Sequence, residues 1–397
     1  MALNRTHVVT MLGIAQTLAW ASSYYLPAVL ARPISEALGG SYSLVFGAFS
    51  LALLLAAAAG PVAGRCIDRY GGRPVLVVSN LLFAAGLLLL SQATHTWHVY
   101  LGWAVMGVAM GSGLYEAAFA TVVHLYGQNA RSAITGITLF AGFASTVGWP
   151  LSSYLDSQYG WRVVCMVWAA LHLLLALPLN AALAWARQER PAEPESAPPT
   201  DAAPAAKQAD SARLLQTAYL MAYVFAASWF ISTAMAAHLP QILQGSGAAL
   251  AAAIAAAALV GPAQVAGRVL EYSLLKNAHP LLSARLAILA HPLAALCLGL
   301  LGVPAISVFA VLHGLGNGIL TIAIGTLPLK VFGAQGYGQR QGWLMVPARI
   351  VQAGSPFLFG MAVARWGSGA LWLSSGLALS AFAALLLMRV APAQRQA

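Results

Sequence analysis

The stretches GPVAGRCID (60–68) and GPAQVAGRVLE (261–271) are near copies within one chain. Each holds a Gly-Pro pair, then V-A-G-R, then two residues and an acid, which is Asp68 in the first copy and Glu271 in the second. A motif repeated 203 residues on marks an internal duplication, and the fold question becomes what the repeated unit is.

The surroundings of both copies are apolar. Of 397 residues, 60% are hydrophobic and 8% charged, where a soluble domain carries about 25% charged residues. This is the composition of a membrane protein. Runs long enough to cross a hydrocarbon core of about 30 Å recur along the chain. They predict twelve spans at 8–31, 43–63, 75–93, 99–123, 133–154, 163–185, 214–238, 248–267, 281–301, 305–329, 343–364 and 370–389. None shows period-2 alternation, and lipid offers no partner to a free N–H or C=O, so the predicted fold is all-α and not a barrel. Arg5 before an apolar run and the small residues of WASS (20–23) imitate a signal peptide, but the run is too long, and it reads as an uncleaved first helix.

The net charge of +10 has a topological reading. With the N-terminus cytoplasmic, every Lys and Arg falls on the cytoplasmic side except Arg32, Arg162, Arg365 and the in-span Arg349. That is the positive-inside asymmetry, which predicts a bacterial-type inner membrane with both termini cytoplasmic and no nucleic-acid partner. Trp97, Tyr100, Trp103, Trp161, Trp366 and Trp372 fall at the outer ends, as an interfacial aromatic belt would.

Other function classes find no motif. The three cysteines are dispersed, and the nine histidines show no metal-ligand spacing, so neither a disulfide framework nor a metal site is predicted. No G-x-x-x-x-G-K-[ST] sequence occurs, and no nucleophile has a base in reach within a span. An enzyme, a cofactor and direct drive by ATP are therefore not expected.

Residues 187–213, RQERPAEPESAPPTDAAPAAKQADSAR, are rich in Pro and acid and read as a disordered cytoplasmic linker. They divide the chain into a six-helix half at 1–186 and a second at 214–397. A second pair of loops agrees: GQNARSAITG (127–136) follows the fourth span and GAQGYGQRQG (333–342) the tenth. Two halves in parallel orientation are predicted.

GRCIDRYGGRPV (64–75) resembles the signature of the major facilitator superfamily. With twelve spans, a central linker and a degenerate second copy, the resemblance covers the whole chain. SLVFGAFSLALLLAAAAGPVAGRCIDRYGGRPVL (43–76) and AGFASTVGWPLSSYLDSQYGWR (141–162) resemble its monocarboxylate and oxalate/formate branch more narrowly. That branch uses an arginine in helix 8 for the carboxylate and a lysine in helix 1; the spans predicted here, 248–267 and 8–31, contain neither. The resemblance implies a latch that closes the cytoplasmic side, with Gly64 allowing close approach, Asp68 facing the start of helix 11, Arg69 and Arg73 alongside, and Glu271 as the second-half counterpart.

Inside the spans, Glu116 of helix 4 and Arg349 of helix 11 are the sparse charges of the two halves. A charge at membrane depth costs about 2.5–3.5 kcal/mol even on insertion scales, so each is expected to face a cavity or a partner, and the two are expected to meet. Ser112, Tyr115, Glu116 and Phe119 share one face of helix 4, and Arg349, Gln352 and Pro356 share one face of helix 11. Helix 1 carries Gln16, Trp20, Ser23 and Tyr24, and helix 10 carries His313, Asn317 and Thr321. Helices 1, 4, 7 and 10 line the central cavity in this superfamily, and the first, second and last bear such stripes. Candidate substrate and coupling residues are thus Glu116, Arg349, Trp20, Tyr24, Tyr115 and Asn317, while His238 and His313 are expected at the outer rim, solvated. The sequence predicts a monomeric, proton-coupled secondary transporter of a small organic solute, with drug or arsenical efflux as the alternative and a receptor or enzyme as the remote one.

Overall fold

Apolar runs that cannot leave backbone groups unpaired in lipid close their hydrogen bonds locally, and the chain is helical almost throughout. The computed structural model describes residues 3–40, 42–186 and 204–388. Among them lie α1 (Arg5–Ser22), α2 (Pro27–Ala37), α3 (Tyr42–Tyr70), α4 (Gly72–Ser91), α5 (Thr96–Gly113), α6 (Tyr115–Tyr126), α7 (Arg131–Ala141), α8 (Ala144–Tyr159), α9 (Trp161–Leu171), α10 (Leu177–Ala181), α11 (Pro204–Gly245), α12 (Leu250–Ala258), α13 (Val260–Leu270), α14 (Pro280–Leu301), α15 (Ile306–Phe332), α16 (Tyr337–Trp366) and α17 (Ala370–Leu387). The fold is all-α and multi-pass. Large apolar side chains such as Leu174, Leu300 and Phe357 are exposed, as lipid-facing groups should be.

Nine stretches among the described residues are long and apolar enough to cross a membrane. Two of them, Thr96–Tyr159 and Tyr337–Leu387, are each long enough for two crossings and cover two predicted spans. The first predicted span falls outside the nine because it is interrupted. Residues 23–26 break the helix before Pro27 opens α2. Of the predicted linker, residues 187–203 lie outside the described residues, whereas 204–213 form the first turns of α11.

Two clusters of buried apolar side chains organise the interior, one built almost wholly from residues 8–183 and the other from residues 221–388. Small residues set the helix crossings. Gly107 and Gly111 of α5 lie against Ala52 and Ala56 of α3, and Gly314 and Gly318 of α15 lie in the same way against Val260 and Gln264. A side chain at any of these glycines would strike the facing backbone, so the same close crossing occurs twice at matched positions.

One end of the bundle gathers the loops that the sequence assigns to one side. Leu3 N–H donates to the Trp185 carbonyl at 2.8 Å, joining the start of α1 to the chain beyond α10. Arg5 donates to the Asn129 carbonyl and Ser132 hydroxyl, both at 3.2 Å. Arg131 crosses from α7 to the segment between α13 and α14, and Asp68 crosses from α3 to the start of α16.

Candidate functional site

Leu114 has an extended backbone (φ −84°, ψ −163°) that ends α5 and starts α6, where the sequence predicts one continuous helix. The break has two effects. It frees the Gly113 carbonyl, which accepts from Gln16 Nε2 at 2.6 Å. It also places Glu116 in the first turn of α6, where the positive end of the helix dipole favours a carboxylate.

Arg349 comes to Glu116 from α16. Its Nη2 donates to Oε1 at 2.9 Å and to Oε2 at 3.2 Å, and its Nη1 donates to Gln352 Oε1 at 2.9 Å. Gln352 Nε2 donates to the Tyr24 hydroxyl at 3.1 Å, and that hydroxyl lies 3.2 Å from Thr233 Oγ1 of α11. The guanidinium also sits 5.1 Å over the Trp229 ring, which is parallel to the Trp20 ring with 6.1 Å between centroids. Tyr115 adds a third ring, 4.8 Å from Trp20. The two sparse charges are thus paired, and the side chains are 5% exposed for Arg349 and 13% for Glu116.

A second cation lies in the same interior. Arg268, in the last turn of α13, is 4% exposed, and its Nε and Nη1 have no hydrogen-bond partner. It makes no ion pair among the described residues. Space for it comes from Gly142, since a side chain there would collide with Arg268 Nη1. Its charge is felt at Tyr25 and Tyr115, which places it toward the aromatic cluster. The indole Nε1 groups of Trp20 and Trp229 are likewise buried without partners. Unpaired buried donors are costly to leave, so this arrangement is short of hydrogen-bond acceptors.

At the end where the loops gather, Asp68 caps α16. Its Oδ1 accepts from Gly338 N–H and its Oδ2 from Gln339 N–H, each at 2.8 Å. The approach requires two glycines: a side chain at Gly64 would strike the Gly338 carbonyl, and one at Gly338 would meet the Gly64 carbonyl and Asp68 itself.

The sequence pattern of the Major Facilitator Superfamily matches residues 12–345. The chain belongs to that superfamily. Its bundle is similar to that of the proton:xylose symporter XylE bound to 6-bromo-6-deoxy-D-glucose, with a TM-score of 0.72 at 12% identity over 97% of each chain. It is also similar to the human organic anion transporter MFSD10 (TETRAN), with a TM-score of 0.64 at 15% identity over 96% of this chain and 100% of that one. Among curated proteins, monocarboxylate transporter 2 of Mesocricetus auratus is 27% identical over 145 residues, which cover 35% of this chain and 30% of that protein. Multidrug resistance protein MdtL of Klebsiella pneumoniae (strain 342) is 30% identical over 171 residues, 42% of each. The chain therefore spans less than half of these relatives. Membership of the superfamily argues against an enzyme.

In this major facilitator protein, Trp20, Tyr24, Tyr115, Glu116 and Arg349 form one cluster. Asn317 is elsewhere: its Nδ2 donates to Ser232 Oγ at 3.0 Å, and it lines a separate cleft within the second half of the chain. Arg69 and Arg73 are exposed and make no ion pair among the described residues; Arg69 stacks on the adjacent Tyr70 ring. Glu271 caps no helix. It is 1% exposed and accepts from Arg131 Nη2 at 2.8 Å, at the start of a π-helical turn.

Three corrections follow. Helix 8 does carry an arginine, because α13 and its π-helical extension run past residue 267, where the predicted span stopped one residue short of Arg268. His313 is buried, not solvated, and is bonded to His291, while His238 is half-buried on the Pro356 carbonyl at 2.7 Å. Helix 7 also contributes to the interior through Ser228, Trp229, Ser232 and Thr233. Their one-sided spacing was the available signal, hidden by the apolar residues between them.

Proposed function

We propose that this chain is a secondary transporter that carries a small carboxylate-bearing solute by alternating access, with Arg268 as the carboxylate seat. The observation that carries this reading is a buried guanidinium with two unpaired donor nitrogens beside an aromatic cluster that has two more unpaired donors. A desolvated cation without a partner is costly, and a carboxylate is the group that satisfies a guanidinium at two points. The resemblance to the monocarboxylate branch, which uses a helix 8 arginine in this way, supports the same reading, as does the partial similarity to monocarboxylate transporter 2.

The rest of the mechanism is built on this chain's own contacts. Twelve helices in two six-helix halves, 1–186 and 214–397 joined through 187–213, rock about the interior where Arg268 and the Glu116–Arg349 pair lie. Asp68 on the start of α16, and Glu271 with Arg131, hold the cytoplasmic side closed. Opening requires both contacts to part. Protonation of Glu116 releases Arg349 and couples the proton gradient to this movement. The protein works as a monomer in a bacterial-type inner membrane, with both termini cytoplasmic.

Purified protein in liposomes tests this. Short-chain monocarboxylates are expected to accumulate under an imposed proton gradient, and their neutral amides are not. Accumulation of lipophilic cations in place of acids would favour the drug-transport reading, which rests on the aromatic cluster and the partial similarity to MdtL.

A further inference from the structure

A second polar cluster lies inside the second half, away from Arg268 and from Glu116. His291 of α14 and His313 of α15 are each 5% exposed, with their Nδ1 atoms 3.1 Å apart. His291 Nε2 lies 2.9 Å from Ser374 Oγ of α17.

The hydrogen-bond directions in this chain are fixed from one end. The single hydroxyl proton of Ser374 is donated to the Leu371 carbonyl at 2.9 Å, so toward His291 its oxygen can only accept. His291 therefore carries its proton on Nε2 and presents Nδ1 as a lone pair. His313 must then donate from Nδ1, which leaves its Nε2 unprotonated. Among the described residues nothing bonds that nitrogen, and His313 lines a cleft of about 320 Å³ together with Ser228, Ser232, His291 and Asn317.

We propose that His313 Nε2 is a proton-binding site of this protein, with His291 and Ser374 as positioning residues that hold its lone pair toward the cleft. The proton taken up comes from water in the cleft, and no bond other than the new N–H is made. The imidazolium so formed keeps its Nδ1–H bond to His291.

No carboxylate, lysine or arginine lines this cleft. On α11, Tyr223 bonds Ser380 of α17, and His238 bonds the Pro356 carbonyl. On α14, Arg285 bonds the Leu385 carbonyl near the end of α17, and on α15 Lys330 is in the last turn. The pair thus faces only uncharged groups. The site does not depend on the carboxylate reading, and its test needs no substrate.

The test is histidine nitrogen NMR on the full chain in lipid nanodiscs, with assignment from His291→Gln and His313→Gln spectra. Near pH 8 the expected spectrum shows His291 protonated at Nε2 and His313 protonated at Nδ1. Lowering the pH to about 5, across the interval in which histidine changes charge, should protonate His313 Nε2 while His291 keeps its tautomer. Ser374→Ala removes the acceptor that fixes the chain and should shift the His313 titration, with Ser374→Thr restoring it. That pair decides the matter even where a histidine variant fails to fold, because the labelled histidines remain. A His313 that carries Nε2–H near pH 8, one that does not titrate, or one whose titration is the same in Ser374→Ala, overturns the proposal.

Discussion

Glu116 and Arg349, the sparse in-span charges of the two halves, meet at 2.9 Å across the interior, with Gln352, Tyr24 and Trp229 around them. Neither charge is left without a partner. Breaking a buried pair from one side costs about 3–5 kcal/mol, because the remaining charge stays buried alone. Glu116→Gln and Arg349→Gln should each lower the unfolding temperature in detergent, and the double variant should be more stable than either. A double-mutant cycle measures the coupling. Strict additivity would mean that the pair contributes nothing to stability. Flux that keeps its full dependence on the proton gradient in Glu116→Gln would remove Glu116 as the coupling residue.

Asp68→Asn keeps the shape of the cap but turns an amide NH2 toward one of two backbone N–H donors. Hydrogen bonds to a charged group contribute about 1.5–3 kcal/mol each, and the closed cytoplasmic side should lose that support. Transport is expected to fall at least tenfold with expression unchanged. Glu271→Gln should be milder, because Arg131 keeps the Ala278 carbonyl at 2.6 Å and the Leu275 carbonyl at 2.8 Å. Initial rates of uptake in matched liposomes compare the two, and equal losses would defeat the distinction.

These two contacts also show what the sequence could yield. The Asp68 contact was legible because it lies in a short motif whose glycines and acid act locally. Its partner was legible as the start of a helix, since a backbone cap needs no particular side chain. The Glu271–Arg131 pair was not, because a side-chain ion pair between distant loops leaves no spacing to read. Arg268 was missed at a boundary: hydropathy falls at the first charge, so a window places the end of the span just before the residue that matters. The breaks at residues 23–26 and at Leu114 escaped for a related reason, since hydropathy is blind to backbone direction. The His291–His313 pair joins two helices whose individual stripes gave no hint of each other.

Acid should weaken the fold at one loop. His279 precedes α14, and its Nδ1 accepts from Leu281 N–H at 3.1 Å. Burial, then the charges of Lys330, Arg131 and Arg285, hold its imidazole below the ordinary value of 6.5. The unfolded chain then binds the proton more readily, so this contribution is complete above the unfolded value and is lost as pH falls through the lowered folded one. Thermal unfolding between about pH 7.5 and about pH 5 should show a declining midpoint. His279→Asn, which keeps an acceptor for the cap, should flatten part of that decline, and an unchanged slope would contradict the assignment.

The orientation makes a separate prediction. A cysteine placed by Ser196→Cys should resist membrane-impermeant thiol reagents in intact cells and react after the membrane is opened. Labelling from outside in intact cells would reverse the assignment of sides.

The central claim is that Arg268 seats a carboxylate, and equilibrium binding to purified protein tests it most directly. A short-chain monocarboxylate should bind the wild-type protein while its amide does not. Loss of a charge-assisted contact worth about 1.5–3 kcal/mol predicts affinity weakened roughly ten- to a hundredfold in Arg268→Ala. Arg268→Lys should recover part of it, because a point charge replaces a two-point donor. Equal binding of acid and amide, or wild-type affinity in Arg268→Ala with the protein folded, would contradict the account.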